Sequence, residues 1–175
     1  KEISGFNQLD RMVMGLLRAV ADAVMVGAGT LRAAPDHLWT AGFIYPPFAD
    51  SYQELRNSLG KSGPPLNVIV TARGEIDLGL QVFRSGQVPV LIVTTSQGAL
   101  HLRRRELPPS VQIAVTEGAE RLGGRAVLDA VSRSRGGQND LILVEGGPQL
   151  MGSLLAEHCL DELFLTLAPQ VAGRD

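Results

Sequence analysis

Several features that would mark particular classes of protein are scarce or missing in this sequence of 175 residues. A single cysteine, Cys159, excludes an internal disulfide and a thiolate metal centre, and its apolar surroundings favour core packing. Aromatic residues make up only 5% of the chain, and 16 Lys+Arg against 18 Asp+Glu leave a net charge of −2. The basic excess of nucleic-acid-binding proteins is therefore absent, and we expect no nucleic-acid partner.

Long apolar runs are also lacking, since the longest one, over residues 88–93, is far too short to cross a bilayer. The three histidines are scattered, with no i, i+4 pair and no acidic cluster nearby, which predicts no metal site. The composition, 45% hydrophobic and 19% charged, is that of a globular protein. We expect one soluble, cytoplasmic domain over residues 1–175, incomplete at both termini, because it starts without Met and stops just after a strand-like run.

Apolar runs of strand length alternate with amphipathic segments along most of the chain. Most of the runs are continuous rather than alternating, which is typical of strands buried on both faces of a parallel sheet. Six strands are predicted, over residues 23–26, 66–71, 88–95, 111–115, 140–144 and 163–167. Five helices are predicted, over residues 9–21, 51–59, 99–107, 124–134 and 148–159. This order indicates an α/β three-layer sandwich with a mostly parallel central sheet.

Residues 32–64 interrupt the alternation, because prolines and aromatics break any periodicity there. We predict mainly a long loop, which in a compact domain is usually functional or mobile.

The strongest local signal is a buried strand that ends in Glu145 and runs through Gly146 and Gly147 into a helix beginning at Pro148. Glycines allow backbone N–H groups to approach a ligand, and a helix start supplies unpaired donors and a positive dipole. The pattern suits a pyrophosphate, with a tight structural turn as the equally weighted alternative. Glu145 favours a ligand site, because open α/β sheets bind ligands at the carboxyl ends of their strands.

A second small-residue segment, Gly27, Ala28, Gly29 and Thr30, follows the first predicted strand. The dinucleotide fingerprint would need a third glycine where Arg32 stands, so a plain turn is at least as good an interpretation of this segment alone. Two such segments at equivalent strand ends could together hold the halves of one extended cofactor.

Arg18 is a further candidate, because it interrupts the first predicted helix near its C-terminal end and could point towards a ligand. Arginine is otherwise common in this chain, and the run at 103–105 is expected to be a solvated helix face.

Taken in order, these motifs resemble the reductase domain family of riboflavin biosynthesis. The similarity runs from about Ser4 to the C-terminus and is carried by residues 17–19, 21–30, 144–150 and 160–163, and by Ala168, Pro169 and Gly173. It implies a dihydrofolate-reductase-like fold and an NADPH-dependent enzyme. In the family, hydride passes to the ribosyl C1 of 5-amino-6-(5-phosphoribosylamino)uracil and opens the sugar.

The resemblance also implies roles for individual residues. Ser4, Arg18 and Glu145 would face the substrate, Glu145 as the catalytic residue that orients it or relays a proton. A homodimer would form on the side of residues 160–165, and no metal would take part. The implied cofactor contacts are Gly27, Ala28, Gly29, Thr30, Thr71, Arg73, Gly146, Gly147, Pro148, Gln149 and Leu150, with Arg73 near the adenosine 2′-phosphate.

The chain departs from the family pattern at the substrate side. An acidic pair usually follows the threonine, but residues 33–36 read Ala-Ala-Pro-Asp, and residues 38–47 contain no arginine for a substrate phosphate. Two alternatives therefore stay open. One is a reductase of a different pterin-, flavin- or pyrimidine-like ring, stacked on aromatics of residues 32–64. The other is a catalytically silent, dimeric nucleotide-binding module.

Overall fold

The computed structural model describes residues 7–116, 122–137 and 141–167 of the chain. Five strands in these ranges form one parallel sheet in the order β4-β3-β2-β1-β5. The strands are β1 (Ala23–Gly27), β2 (Leu66–Val70), β3 (Val90–Thr94), β4 (Val111–Val115) and β5 (Ile142–Val144). The helices are α1 (Gln8–Val20), α2 (Ala28–Ala33), α3 (Ala41–Ile44), α4 (Ala49–Ser58), α5 (Gln81–Arg84), α6 (Ser96–Arg103), α7 (Gly124–Ser134) and α8 (Pro148–Ala156). Within the described ranges, no helix has the length and apolar character needed to span a membrane.

Both faces of the sheet are covered, as the continuous apolar runs predict. Alternate residues of the strands point to opposite faces, so Val24 and Val26 of β1 pack with α2, α5 and α6, whereas Ala23 and Met25 pack with α7 and α8. Every residue of β1 and of β3 is buried. The predicted three-layer α/β sandwich is confirmed.

α1 packs mainly against α3 and α4, where Ala19, Ala41 and Tyr52 form a small core of their own. The buried side chain of Arg56 on α4 closes the C-terminal end of α1. Its Nη1 donates to the carbonyls of Ala19 (2.9 Å) and Ala21 (2.7 Å), which have no helical N–H partner at that end. The end of α1 is thereby fixed to α4.

Two predictions about local structure are wrong. Residues 163–167 form no strand, because within the described ranges their backbone has no strand partner to bond with. Their apolar side chains are 62–84% exposed, and the hydroxyl of Thr166 donates to Asp10 of α1 (2.6 Å). Residues 32–64, predicted as loop apart from the helix over 51–59, contain that helix as α4 and in addition hold α3 and a 3₁₀ turn (Pro46–Phe48). Thr40 caps α3 by accepting from the N–H of Phe43, a local signal that the lack of periodicity obscured.

The sheet order creates a topological switch point between β1 and β5. From β1 the chain builds outward through β2, β3 and β4 on one side, whereas β5 pairs on the other side of β1. The helix after β1, α2, covers one face of the sheet, and the helix after β5, α8, covers the opposite face. The chain therefore diverges from these two strand ends and leaves a crevice, which is where open α/β sheets bind ligands.

Candidate active site

The turn after β5 has the backbone of a ligand-binding loop. Gly146 and Gly147 have φ of +133° and +99°, values that residues with a side chain rarely adopt. Gly147 is the N-cap of α8, and Pro148 occupies the first helical position. At such a helix start the N–H groups of Gln149 and Leu150 have no intrahelical acceptor, so they are available to an anion.

This turn touches the end of β1, so the two small-residue segments do form one surface. The N–H of Gly27 donates to the carbonyl of Gly146 at 3.1 Å. A Cβ on Gly147 would lie 3.3 Å from the Cα of Gly27, and one on Gly146 would lie 3.4 Å from the Thr30 hydroxyl. The segment after β1 is the first turn of α2 rather than the loop that we predicted, with Gly27 as its N-cap. Bare peptide groups from both strand ends thus line the crevice.

Thr71 and Arg73 lie one strand further along the same edge. Gly27 pairs with Val70 in the β1–β2 ladder, so Thr71 begins the turn that follows β2. The buried Thr71 hydroxyl accepts from the N–H of Gly74 (3.2 Å) and so holds this turn. Arg73 is exposed, and its side chain makes no hydrogen bond or ion pair with the part of the chain that the structure describes. The predicted cofactor residues therefore follow the carboxyl ends of three neighbouring strands, β5, β1 and β2.

Arg18 and Glu145 form a buried bidentate ion pair beside this turn. Arg18 Nε lies 2.6 Å from Glu145 Oε1, and Nη2 lies 2.6 Å from Oε2. The side chains are 2% and 6% exposed, and the second guanidinium nitrogen of Arg18, Nη1, donates to the carbonyls of Thr40 (3.1 Å) and Leu38 (3.4 Å). The sequence analysis expected both side chains to face the substrate. In the structure they do lie together, and the carboxylate of Glu145 binds the guanidinium of Arg18.

Asn67, near the amino end of β2, is a buried polar residue that the sequence analysis did not single out. It is 1% exposed, and its amide accepts from the N–H of Trp39 (3.1 Å) and donates to the carbonyl of Trp39 (3.3 Å). The sequence did offer a signal for this buried polar role, because Asn67 is a polar residue within the otherwise apolar run of β2. Trp39 is consequently a core residue, 2% exposed. Of the aromatics in residues 32–64, Phe43 and Phe48 are the accessible ones, at 38% and 42%.

His37, which the sequence analysis set aside, lies beside Trp39 and Phe43, with ring centroids 5.1 Å and 4.6 Å away. Its Nε2 is buried and has no hydrogen-bond partner within the described residues. Burial lowers the pKa of His37 to about 4, and the nearby charges of Arg18 and Arg11 act in the same direction. The imidazole is therefore neutral at physiological pH.

The opposite edge of the sheet has a polar cleft of about 550 Å³ near the amino ends of β1–β4. Its charged groups are already engaged, since Lys61 pairs with Asp22 (2.6 Å) and Arg56 donates to backbone carbonyls. We therefore place the candidate site at the carboxyl edge, where unpaired backbone donors and a buried carboxylate coincide. Ser4 lies outside the described residues, and those residues contain no metal-binding cluster.

Known proteins resemble the chain over nearly its whole length. The family model described as RibD C-terminal domain matches residues 1–175. A 2,5-diamino-6-ribosylamino-4(3H)-pyrimidinone 5′-phosphate reductase of Archaeoglobus fulgidus is 30% identical over 167 residues, which are 95% of this chain and 70% of that protein.

Two solved structures share the fold. A pyrimidine reductase-like protein of Corynebacterium diphtheriae superposes with a TM-score of 0.68 at 24% identity, covering 95% of this chain and 66% of that one. The riboflavin biosynthesis reductase of Saccharomyces cerevisiae superposes with a TM-score of 0.57 at 17% identity, covering 83% and 57%. The chain thus spans 57–70% of the length of these three proteins.

Proposed function

The chain belongs to the RibD C-terminal domain family, the pyrimidine reductases of riboflavin biosynthesis, and from this premise we propose that it reduces the ribosyl C1 of a phosphoribosylaminopyrimidine with NADPH. The observation that carries the proposal is the crevice at the switch point. It combines a glycine-lined helix start with the buried carboxylate of Glu145. Cofactor and substrate would meet between these two features.

We assign the cofactor to the carboxyl edge of β5, β1 and β2. The turn at Gly146 and Gly147 would hold the pyrophosphate, because a Cβ at either residue would occupy the space between the two strand ends. Gln149 and Leu150 would donate their N–H groups, and Thr30 its hydroxyl. When bound, NADPH supplies the hydride, and the protein supplies orientation and charge.

The carboxylate of Glu145 would act by its charge. Hydride addition to C1 requires that the C1–O bond of the sugar ring opens to a C1=N cation and that the ring oxygen takes up a proton. A carboxylate fixed in a water-poor site stabilises such a cation without having to reorganise. Because both oxygens of Glu145 already accept from Arg18, the structure favours orientation and electrostatic stabilisation over proton relay.

Two substrates deserve direct comparison. The family resemblance implies 5-amino-6-(5-phosphoribosylamino)uracil, whereas the Archaeoglobus relative is named for the 2,5-diamino-pyrimidinone. Both carry the same phosphoribosylamino group and differ in the ring. We expect the protein to oxidise NADPH, followed by absorbance at 340 nm, with at least one of them. Cofactor binding without turnover on either would instead support the silent module, and turnover only on another heterocycle would support the second alternative.

Arg73→Ala tests the choice of nicotinamide cofactor. The exposed guanidinium is free to pair with the 2′-phosphate, so its loss should weaken NADPH binding by about 1.5–3 kcal/mol, the range for a charge-assisted hydrogen bond. NADH lacks this phosphate, and its affinity should not change. Both dissociation constants are measured by fluorescence titration, with the exposed Arg32→Ala as the matched control. An equal loss for both cofactors would remove Arg73 from the phosphate site.

We also propose a homodimer, built on the face where α1 meets residues 163–167. Leu9 and Leu16 of α1 are 63% and 47% exposed, Phe164 and Leu165 are also exposed, and the Thr166–Asp10 hydrogen bond joins the two segments. Exposed apolar side chains on joined segments are typical of an interface. The intact protein should sediment as a dimer at micromolar concentration, and Leu165→Glu should shift it towards monomer. A wild-type monomer would contradict the proposal.

We further propose that the enzyme acts in the cytoplasm, because the proposed substrates are phosphorylated and do not cross membranes freely.

A further inference from the structure

Resting on the proposed function, we propose that His37 couples substrate binding to the uptake of a proton: its imidazole becomes protonated when the phosphate of the substrate binds beside it, and it thereby selects phosphorylated over neutral ligands. Three observations carry the proposal. They are a buried nitrogen without a partner, a positive charge without a counter-charge, and the position of residue 37 at the border of the candidate site.

The Nε2 atom of His37 lacks the hydrogen bond that a buried polar atom ordinarily makes. It is buried and has no hydrogen-bond partner in the part of the chain that the structure describes. The imidazole lies instead against the rings of Trp39 and Phe43, with centroids 5.1 Å and 4.6 Å away. An unsatisfied buried nitrogen costs stability, and a catalytic role or a bound ion often explains such an exception. A ligand that bonds Nε2 would remove this cost.

The surroundings of His37 carry positive charge without a matching carboxylate. Among the described residues, the charged groups that act on His37 are Arg18 and Arg11 of α1. Glu145 balances the charge of Arg18, whereas Arg11 forms no ion pair within the described ranges. The other segments packed against His37, residues 38–40 and α3, contain no charged side chain. The net charge beside the imidazole is therefore positive and attracts an anion.

His37 also lies within reach of a ligand in the crevice. The carbonyls at both ends of residues 38–40 accept from Nη1 of Arg18, whose other nitrogens bind Glu145 after β5. The proposed function places the substrate beside Glu145, so the segment that begins at His37 borders the same space. Phe43 is 38% exposed, and a rotation of its ring would open Nε2 to the ligand.

A phosphate at this place would change the protonation of the imidazole. Burial foremost, and then the charges of Arg18 and Arg11, lower the pKa of His37 to about 4, so the side chain is neutral in the free protein. One opposite charge within about 4–6 Å shifts a pKa by roughly 1–3, and a phosphate monoester carries about −1.5 to −2 at neutral pH. The pKa of His37 would therefore rise towards neutrality in the complex. Protonated Nε2 donates a charge-assisted hydrogen bond to a phosphate oxygen.

The coupling has a defined sign. The pKa of His37 is lower in the free protein than in the complex, so between these two values binding takes up a proton and the affinity falls as the pH rises. The second ionisation of the phosphate, at a pKa of about 6, acts in the opposite direction, because the dianion binds more tightly. A variant that cannot titrate at position 37 separates the two contributions.

Ribose 5-phosphate, added to the protein saturated with NADP⁺, is the probe for this site. NADP⁺ occupies the phosphate sites of the cofactor, and calorimetry in buffers of different ionisation enthalpy counts the protons taken up. At about pH 7, wild type should take up roughly 0.3–1 proton per ribose 5-phosphate, and His37→Gln none. The variant should also bind the probe about tenfold more weakly at about pH 6, with a smaller difference at higher pH. Ribose, the neutral probe, should cause no proton uptake.

His101→Gln is the matched control, because His101 is an exposed histidine far along the chain from the site. This variant should take up as many protons as wild type and bind ribose 5-phosphate within about twofold of it. Equal proton uptake by wild type and His37→Gln would overturn the proposal.

Carbon-13 NMR of ε1-labelled histidines tests the wild-type side chain itself, which covers the case in which His37→Gln does not fold. Variants of the exposed His101 and His158 identify the signal of His37 by elimination. At about pH 6 this signal should be that of a neutral imidazole with NADP⁺ alone and that of an imidazolium after ribose 5-phosphate is added. A signal that stays neutral while the probe is bound would contradict the proposal.

The outcomes also separate this inference from the proposed function. If the protein turns over a pyrimidine phosphate but His37 stays neutral, the proposed function stands and the role of His37 fails. If neither pyrimidine is turned over but ribose 5-phosphate protonates His37, the anion site stands and the proposed reaction fails.

Discussion

Glu145→Gln is expected to lower kcat by roughly 10²–10³, the range for loss of one group that stabilises transition-state charge, while the affinity for NADPH stays near that of wild type. The substitution keeps the shape of the side chain but removes the negative charge proposed to stabilise the C1=N cation. It also turns an amide N–H₂ towards Arg18, so one of the two hydrogen bonds at 2.6 Å is lost and a buried guanidinium is left without a counter-charge. Breaking a buried pair on one side costs about 3–5 kcal/mol, so the melting temperature should fall as well. Turnover must therefore be expressed per folded, NADPH-binding molecule.

Glu157→Gln is the control for that loss of stability. Glu157 holds the start of α7 by accepting from the N–H groups of Gly124 (3.0 Å) and Arg125 (2.8 Å). These backbone hydrogen bonds, that of Arg125 foremost, lower the pKa of Glu157. Its replacement should lower the melting temperature and leave kcat unchanged. If both variants lose stability and neither loses turnover per folded molecule, Glu145 is a structural carboxylate and does not belong to the active site.

Gly147→Leu is expected to weaken NADPH binding at least about 100-fold. The φ of +99° disfavours any side chain, and the Cβ alone would lie 3.3 Å from the Cα of Gly27. The rest of the leucine side chain would enter the space assigned to the pyrophosphate and cover the N–H groups at the start of α8. Binding is measured by fluorescence titration or calorimetry, and circular dichroism verifies that the variant is folded.

Gly152→Leu on the same helix provides the matched comparison. Gly152 is exposed, and a Cβ there would meet no atom within 4 Å. Leucine also favours helix over glycine, so this variant should be at least as stable as wild type and bind NADPH normally. Unchanged NADPH affinity in a folded Gly147→Leu protein would contradict the pyrophosphate assignment.

The sheet was predictable because its physical requirements are local. Strands buried on both faces need nearly continuous apolar runs, and the five strands have them, with Asn67 in β2 and Gln112 in β4 as polar interruptions. The same reasoning failed at residues 163–167, because an apolar composition does not by itself supply a neighbouring strand to pair with. Residues 27–30 were predicted as a loop because Gly27 and Gly29 are turn residues, yet the sequence from Ala28 to Ala33 completes a short helix.

The sequence predicted which strand ends form the candidate site, but it did not predict which side chains contact each other there. Glu145 and the two glycines stand out because an acid and positive-φ residues follow a buried strand directly. The bidentate pairing of Arg18 with Glu145 bridges 127 residues, and no sequence periodicity reports it. Burial of His37 likewise depends on tertiary packing, in which the rings of Trp39 and Phe43 lie against it.

The position of β5 has a consequence for how the protein is made. A ribosome synthesises β5 only about 120 residues after its neighbour β1, as the bond between Asp22 and Leu141 marks. Until then the apolar strand β1 lacks the pairing partner that it has in the folded sheet, and Arg18 lacks its carboxylate. An unpaired side of a strand invites pairing with other chains, so this interval is the one in which a chaperone would matter most. Pairing of β5 covers that side of β1 and delivers Glu145 to Arg18 in the same event.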